Sequence, residues 1–305
     1  MLPWIPVFLA CGWGLRRRLR DERGERVAAW LGGWALRVAL PATVIKALAG
    51  MPLERLSQPP ALLPWLLAGL LLLILPPLLR RAAFLGREQA RLLLLLIPLG
   101  NTSFLGLPLL QAVRGEGALP AALLYDQFGS FPQLLLLGTL LLEKGDSTGR
   151  GRWRRLAWRW LSFPPLPALL LALSPAGPWL METAGPLLHA LSATLVPTVM
   201  VALGARLRFR LSRADRPALW LGLLGKMAAA PLLALLLVQA LGWRGAEVHT
   251  ALLEAAMPPM ATAAAWAGDR GLCPELGASL VSVGILAALA WIPLLSWALT
   301  AQGIP

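Results

Sequence analysis

Charged side chains are scarce in this chain of 305 residues: they make up 14%, against 57% hydrophobic residues. A water-soluble domain of this size needs more polar surface to cover its core, so the scarcity excludes an ordinary soluble protein and points to an integral membrane one. Cysteine is nearly absent. Cys11 and Cys273 stand alone with no metal or redox spacing, which excludes a disulfide framework and leaves two free thiols. Histidine is equally sparse: His189 and His249 fall near expected helix ends, read as interfacial, and form no metal-binding pattern. Two scattered histidines do not supply an intramembrane protease, and there is no nucleophile elbow and no P-loop. No enzyme, cofactor or metal is therefore expected. Acidic residues are few beside basic ones, 15 against 28, giving a net charge of +13.

What is abundant is long apolar sequence. Runs such as 61–79 and 217–241 are long enough to cross the hydrocarbon as helices. Ten spans are legible, at roughly 2–15, 27–48, 61–80, 91–113, 118–142, 157–173, 184–205, 216–241, 247–268 and 276–300. The basic residues crowd into alternate loops. Arg16, Arg17, Arg18, Arg20, Arg23 and Arg26 occupy the first, and Arg206, Arg208, Arg210, Arg213 and Arg216 occupy the seventh. The third and fifth are similarly basic, whereas the even-numbered loops hold only Arg55, Arg114 and Arg244. A nucleic-acid footprint would mark one face rather than every second loop, so no nucleic-acid partner is expected. By the positive-inside rule the odd loops are cytoplasmic and both termini extracytoplasmic. Residues 1–15 are not read as a cleaved signal peptide, because the arginines follow the apolar stretch instead of preceding it.

The flexible, glycine-containing stretch 144–156 lies at the midpoint and divides the chain into 1–143 and 157–305, with five spans on each side. An odd number of spans per half forces the halves to insert with opposite topology. A weak echo supports a repeat: Leu40-Pro-Ala-Thr in the second span resembles Val196-Pro-Thr in the seventh.

The fourth and ninth spans are interrupted. The fourth contains Gly100-Asn-Thr-Ser-Phe-Leu-Gly-Leu-Pro108 and the ninth Glu254-Ala-Ala-Met-Pro-Pro-Met-Ala-Thr262. Proline removes a backbone donor and clashes with the preceding turn. A break at membrane depth frees peptide groups that lipid cannot satisfy, so it survives only where it lines a cavity or is buried in protein. Paired breaks in corresponding positions of two halves point to a transporter's binding site. Asn101, Thr102, Ser103, Gly106, Pro108, Met257, Pro258, Pro259 and Thr262 are the candidate substrate-binding residues. The competing account is a packing kink with hydroxyls bonded back to the helix. Asp126, Glu254 and Lys226 are ionisable residues within spans and candidate coupling sites. The alternative for Asp126 is a hydrated position near the interface. Arg37 and Lys46 also fall within a span; Lys46, near its end, can snorkel, and Arg37 has no sequence account.

The segments 100–108, Tyr125-Asp-Gln127 and Glu254-Ala-Ala-Met-Pro-Pro-Met260 together resemble the auxin efflux carrier family of transporters, including bacterial malate- and malonate-permease-like members. Pro6-Val-Phe8, Gly14-Leu-Arg-Arg-Arg18 and Ala39-Leu-Pro41 resemble the family's start. The resemblance implies an all-α membrane fold of ten helices in two inverted repeats of five, similar to bile acid/sodium symporters and sodium/proton antiporters. It implies a scaffold of helices 1, 2, 6 and 7 and a transport domain of helices 3–5 and 8–10, with the broken helices 4 and 9 crossing beside the substrate. A homodimer through the scaffold is left open. The long cytoplasmic loop of many plant members is missing, which points away from auxin and toward a bacterial-type carrier of small organic anions in the inner membrane. Coupling to H⁺ or Na⁺ stays open, as do a passive anion channel, a sodium-coupled sterol-conjugate carrier and a non-transporting receptor.

Overall fold

In lipid each backbone polar group must find its partner within the protein, and an apolar run of about 20 residues meets that demand as a helix. The computed structural model obeys this rule. It describes residues 2–142, 154, 157, 158, 160, 161 and 163–301. Among the described residues there are helices and turns and a single isolated extended pairing, with no strand. Of the expected linker 144–156 only Arg154 is described. Among the described residues, five helices are long and apolar enough to cross a membrane: Glu22–Leu48, Leu53–Arg81, Ala176–Arg206, Arg213–Ala240 and Pro274–Ala301.

The helices run in chain order as α1 (Trp4–Trp34), α2 (Leu40–Leu48), α3 (Pro59–Arg81), α4 (Arg87–Leu96), α5 (Leu107–Arg114), α6 (Leu119–Tyr125), α7 (Phe131–Leu142) and α8 (Pro165–Leu173). They continue as α9 (Ala176–Ala193), α10 (Leu195–Arg206), α11 (Arg216–Leu224), α12 (Ala230–Ala240), α13 (Ala246–Ala255), α14 (Ala261–Gly268) and α15 (Pro274–Ala301). Four π turns join them, at Ala35–Ala39, Thr102–Gly106, Asp126–Ser130 and Gly225–Ala229.

Two expectations about boundaries are corrected. The loop expected at 16–26 is helical in hydrogen bonding. Residues eight apart on a straight helix lie about 12 Å apart, yet a Cβ on Gly24 would meet the Arg16 Cα at 3.0 Å. The chain therefore doubles back between them, and α1 consists of two antiparallel arms. The span expected to begin at residue 184 begins at Ala176, because Pro186 sits inside α9 without ending it. Glu182 and Thr183, which read as loop, are exposed on that helix.

Packing is densest where α10 lies against both arms of α1. The approach is close enough that a Cβ on Gly12 would strike the Val201 carbonyl, and one on Gly204 the Leu9 carbonyl. Small residues at such contacts let backbones meet, which replaces the hydrophobic drive that lipid does not provide. α2 packs on α8 and α9, completing a group with α1 and α10. The rest pack largely among themselves: α3 on α6, α12 and α13, and α15 on α11, α13 and α14. Lys46, at the end of α2, does not merely snorkel. Its ammonium meets Glu116 at 2.8 Å, tying the first group to the turn before α6. That hydrogen bond holds the Glu116 carboxyl below the usual carboxylate range.

Gly204→Leu should lower the thermal midpoint of the detergent-solubilised protein, by an amount equivalent to about 1–3 kcal/mol of overpacking. Gly14→Leu is the control, since a Cβ there meets nothing within 4 Å. Fluorescence-monitored melting checks both, and equal midpoints would count against the close α1–α10 contact.

Candidate functional site

The two interrupted segments meet. Gly100 and Pro259 form an antiparallel bridge. The Asn101 N–H donates to the Pro258 carbonyl at 2.8 Å, and the Met260 N–H donates to the Leu99 carbonyl at 3.1 Å. Each break thus supplies the partners that the other lacks. Helical structure restarts on both sides of the bridge, at Thr102 and at Ala261. The first N–H groups of a helix have no intrahelical acceptor and carry a partial positive charge. Two such ends therefore face the crossing.

Three ionisable side chains are buried around it. Asp126 is fully buried, not hydrated at an interface. One of its oxygens accepts from the Thr102 hydroxyl at 2.5 Å and the Ser103 hydroxyl at 2.6 Å, and the other from the Gln127 amide at 2.8 Å. Lys226 is 1% exposed and donates to the Ala255 carbonyl at 3.0 Å. It lies against the bridge, for a Cβ on Gly100 would come within 3.2 Å of its Nζ. Glu254 is fully buried, and neither carboxylate oxygen has a hydrogen-bond partner among the described residues. It is in electrostatic reach of both Lys226 and Asp126. Its carboxylate fills the space where a Cβ of Gly106 would be, so that position admits only glycine without rearrangement.

The π turns explain how these groups are presented. A π turn widens the helix and redirects its side chains, and such turns occur often at functional sites. Thr102 and Ser103, Asp126, and Lys226 each sit on one of the four. The carbonyl of Phe128, within the third, accepts from the Trp65 indole at 2.6 Å. The sequence carries no periodicity signal for these turns. The resemblance included Gln127, but it was not among the residues read as the site.

Beside the crossing is a narrow cavity of about 60 Å³, whose lining includes Asn101, Thr102, Ser103, Met260, Thr262 and Leu36. Phe131 of α7 and Phe163, just before α8, also line it, with ring centroids stacked 3.4 Å apart. The side-chain amide nitrogen of Asn101 is buried without a partner among the described residues. An unpaired buried donor is costly and marks a position that a ligand acceptor would satisfy.

Residues 153–296 match the family described as membrane transport protein. The chain is 30% identical over 280 residues to an uncharacterized transporter of Methanothermobacter thermautotrophicus, covering 90% of this chain and 89% of that protein. An uncharacterized transporter of Methanocaldococcus jannaschii is 28% identical over 252 residues, covering 77% of each. The chain belongs to the auxin efflux carrier family of membrane transporters.

Of the residues that the sequence singled out, this carrier-family chain brings most to one place, though not all to the cavity. Asn101, Thr102, Ser103 and Thr262 line it. Pro258 and Pro259 form the crossing itself. Met257 and Pro108 are buried in the surrounding packing, and Gly106 seats Glu254. Arg37 is exposed on the first π turn, next to the cavity-lining Leu36. His249, expected at an interface, is fully buried on α13. His189 is exposed as expected, and Cys11 and Cys273 are free.

Removing one member of a buried charge group leaves the others uncompensated, at a cost of about 3 kcal/mol or more. Lys226→Met should therefore strongly lower the thermal midpoint, and Lys226→Met/Glu254→Gln should recover most of the loss. A single variant as stable as the parent would show that Lys226 does not balance Glu254.

Proposed function

We propose that this protein is a secondary active transporter of small organic anions, mono- or dicarboxylates, working by alternating access around the crossed breaks. The observation that carries the reading is the cavity beside the Gly100–Pro259 bridge, with the unpaired Asn101 amide and the two helix starts at Thr102 and Ala261. A substrate carboxylate there would accept from the Asn101 amide and from the Thr262 hydroxyl, in the field of both helix N-termini. Its negative charge is what those dipoles favour and what a buried amide donor satisfies.

Ten membrane segments in two inverted repeats account for the arrangement, with the two interrupted spans in corresponding places. The group of α1, α2 and α8–α10 would be the scaffold, and α3–α7 with α11–α15 the transport domain. Phe131 and Phe163 come from opposite groups and meet at the cavity. Parting that stack would open the cavity, which is too narrow as it stands to admit a dicarboxylate freely. Rocking one group against the other then exposes the site to each side in turn. Asp126 and Glu254 are the groups through which H⁺ or Na⁺ would couple, with Lys226 balancing their charge. The arginine-rich loops support an orientation with both termini outside a bacterial-type inner membrane. The scaffold face would carry any homodimer contact.

Purified protein in proteoliposomes tests this with a counterflow screen over labelled carboxylates, malate and malonate included. Saturable counterflow is expected, steepened by an ion gradient. Asn101→Ala should reduce uptake by about fivefold, the equivalent of one hydrogen bond of ~1 kcal/mol. Normal uptake by that variant would remove Asn101 from the mechanism. Flux without saturation or counterflow would mean a channel, and binding without flux a receptor.

A further inference from the structure

Arg37 occupies the depth at which a membrane tolerates charge least. It lies eleven residues after Arg26 and eleven before Leu48, within the apolar span Glu22–Leu48. At 1.5 Å of rise per residue that is ~16 Å from either end, the middle of a hydrocarbon core about 30 Å thick. The side chain cannot snorkel that far. An arginine at such depth faces a partner or a water-filled cavity, because lipid is too costly. Within the chain no partner meets it: Arg37 is exposed, with no hydrogen bond or ion pair among the described residues. Its π turn packs against α9 and α10, which offer no acid at that depth. The Trp34 indole donates to Thr194 at 3.0 Å, and the Thr43 and Ser192 hydroxyls meet at 3.0 Å, so α9 runs antiparallel beside it. Glu182, the carboxylate of α9, comes ten residues before Ser192, and Arg37 six before Thr43. The two charges are thus ~24 Å of helix rise apart.

What does lie beside Arg37 is the cavity at the crossing. The preceding residue, Leu36, lines it, and consecutive Cα atoms are only about 3.8 Å apart. Asn101, Phe131 and Thr262 line it from the other packing group, so the cavity lies on the seam between the two groups. The same π turn that brings Leu36 to this seam carries Arg37. Among the described residues that line the cavity none is charged. Its neutral donors suit one carboxylate, and a volume of about 60 Å³ leaves no room for a second. A diacid seated there keeps its far carboxylate outside the cavity, where it needs a cation. Arg37 needs an anion, and the two demands meet on the Leu36 side. A planar guanidinium is well matched to a carboxylate, which it can hold with two parallel hydrogen bonds.

We propose that Arg37 binds the second carboxylate of a dicarboxylate substrate, in a water-filled recess beside Leu36. This rests on the carrier reading above and narrows its substrate to diacids. Counterflow in proteoliposomes should reveal it as a difference between malonate and propionate, which have the same chain length. Arg37→Gln should raise the KM for malonate about tenfold more than that for propionate, the equivalent of one hydrogen bond to a charged group. Arg37→Lys should recover part of the difference. In a background of Cys11→Ser/Cys273→Ser, the thiol of Arg37→Cys should react with a cationic, water-soluble methanethiosulfonate. Malonate should slow that reaction, and the restored positive charge should return the preference for malonate. An equal change in both KM values would mean a structural role and overturn the proposal. So would a thiol that the reagent cannot reach, or one that links two copies on oxidation, since Arg37 would then face lipid or a second subunit. If the parent shows no counterflow of any carboxylate while malonate still shields the thiol, the carrier reading fails and the anion site at Arg37 stands.

Discussion

Two backbone hydrogen bonds, Asn101 to Pro258 and Met260 to Leu99, are the constraint around which this molecule is built. A helix interrupted inside a membrane leaves peptide groups whose desolvation costs several kcal/mol each unless something protein-borne meets them. Here the partner is the other interruption. The pairing forces the fourth and ninth apolar stretches to cross at their breaks and brings the restarting helices to one point. The polar site is a consequence of how the two breaks are satisfied.

The crossing also explains why three ionisable groups are tolerated at such depth. Lys226 caps the carbonyl of Ala255, close to the ninth-span break, and lies against Gly100 in the fourth. Asp126 collects the hydroxyls of Thr102 and Ser103, which would otherwise compete for the restarting helix. Glu254 alone is left without a donor, beside a glycine that makes room for it. Asp126 and Lys226 sit on π turns and bond to residues at the breaks, Asp126 to the Thr102 and Ser103 hydroxyls and Lys226 to the Ala255 carbonyl, so a change in their charge acts directly on the elements that shape the cavity. In the ion-coupled carrier we propose, that contact would link the coupling ion to the substrate.

Much of this was legible in the sequence because its signals are local. Proline and the Asn-Thr-Ser cluster marked both interruptions, and low charge with alternating arginine-rich loops marked the membrane class. Asp126 and Glu254 stood out as acids within apolar runs. What was not legible depends on tertiary contact. No periodicity distinguishes a π turn from an α-helix of the same composition, so the presentation of Asp126 and Lys226 was hidden. Phe131 and Phe163 look like ordinary apolar residues until two distant elements stack them. The span expected from residue 184 starts earlier, because the helix runs through Pro186 and keeps Glu182 facing outward. His249 was misplaced for a similar reason: its exposure depended on which face of α13 turned inward.

The bridge between the breaks can be tested directly by thiol pairing. Residues flanking an antiparallel bridge of this kind have Cα atoms about 5.5 Å apart, within the range that a disulfide spans. In a background of Cys11→Ser/Cys273→Ser, the double variant Leu99→Cys/Met260→Cys should lose both thiols on mild oxidation, while each single variant keeps its thiol. Two thiols that stay reactive in the folded, oxidised double variant would contradict the crossing and the site built on it.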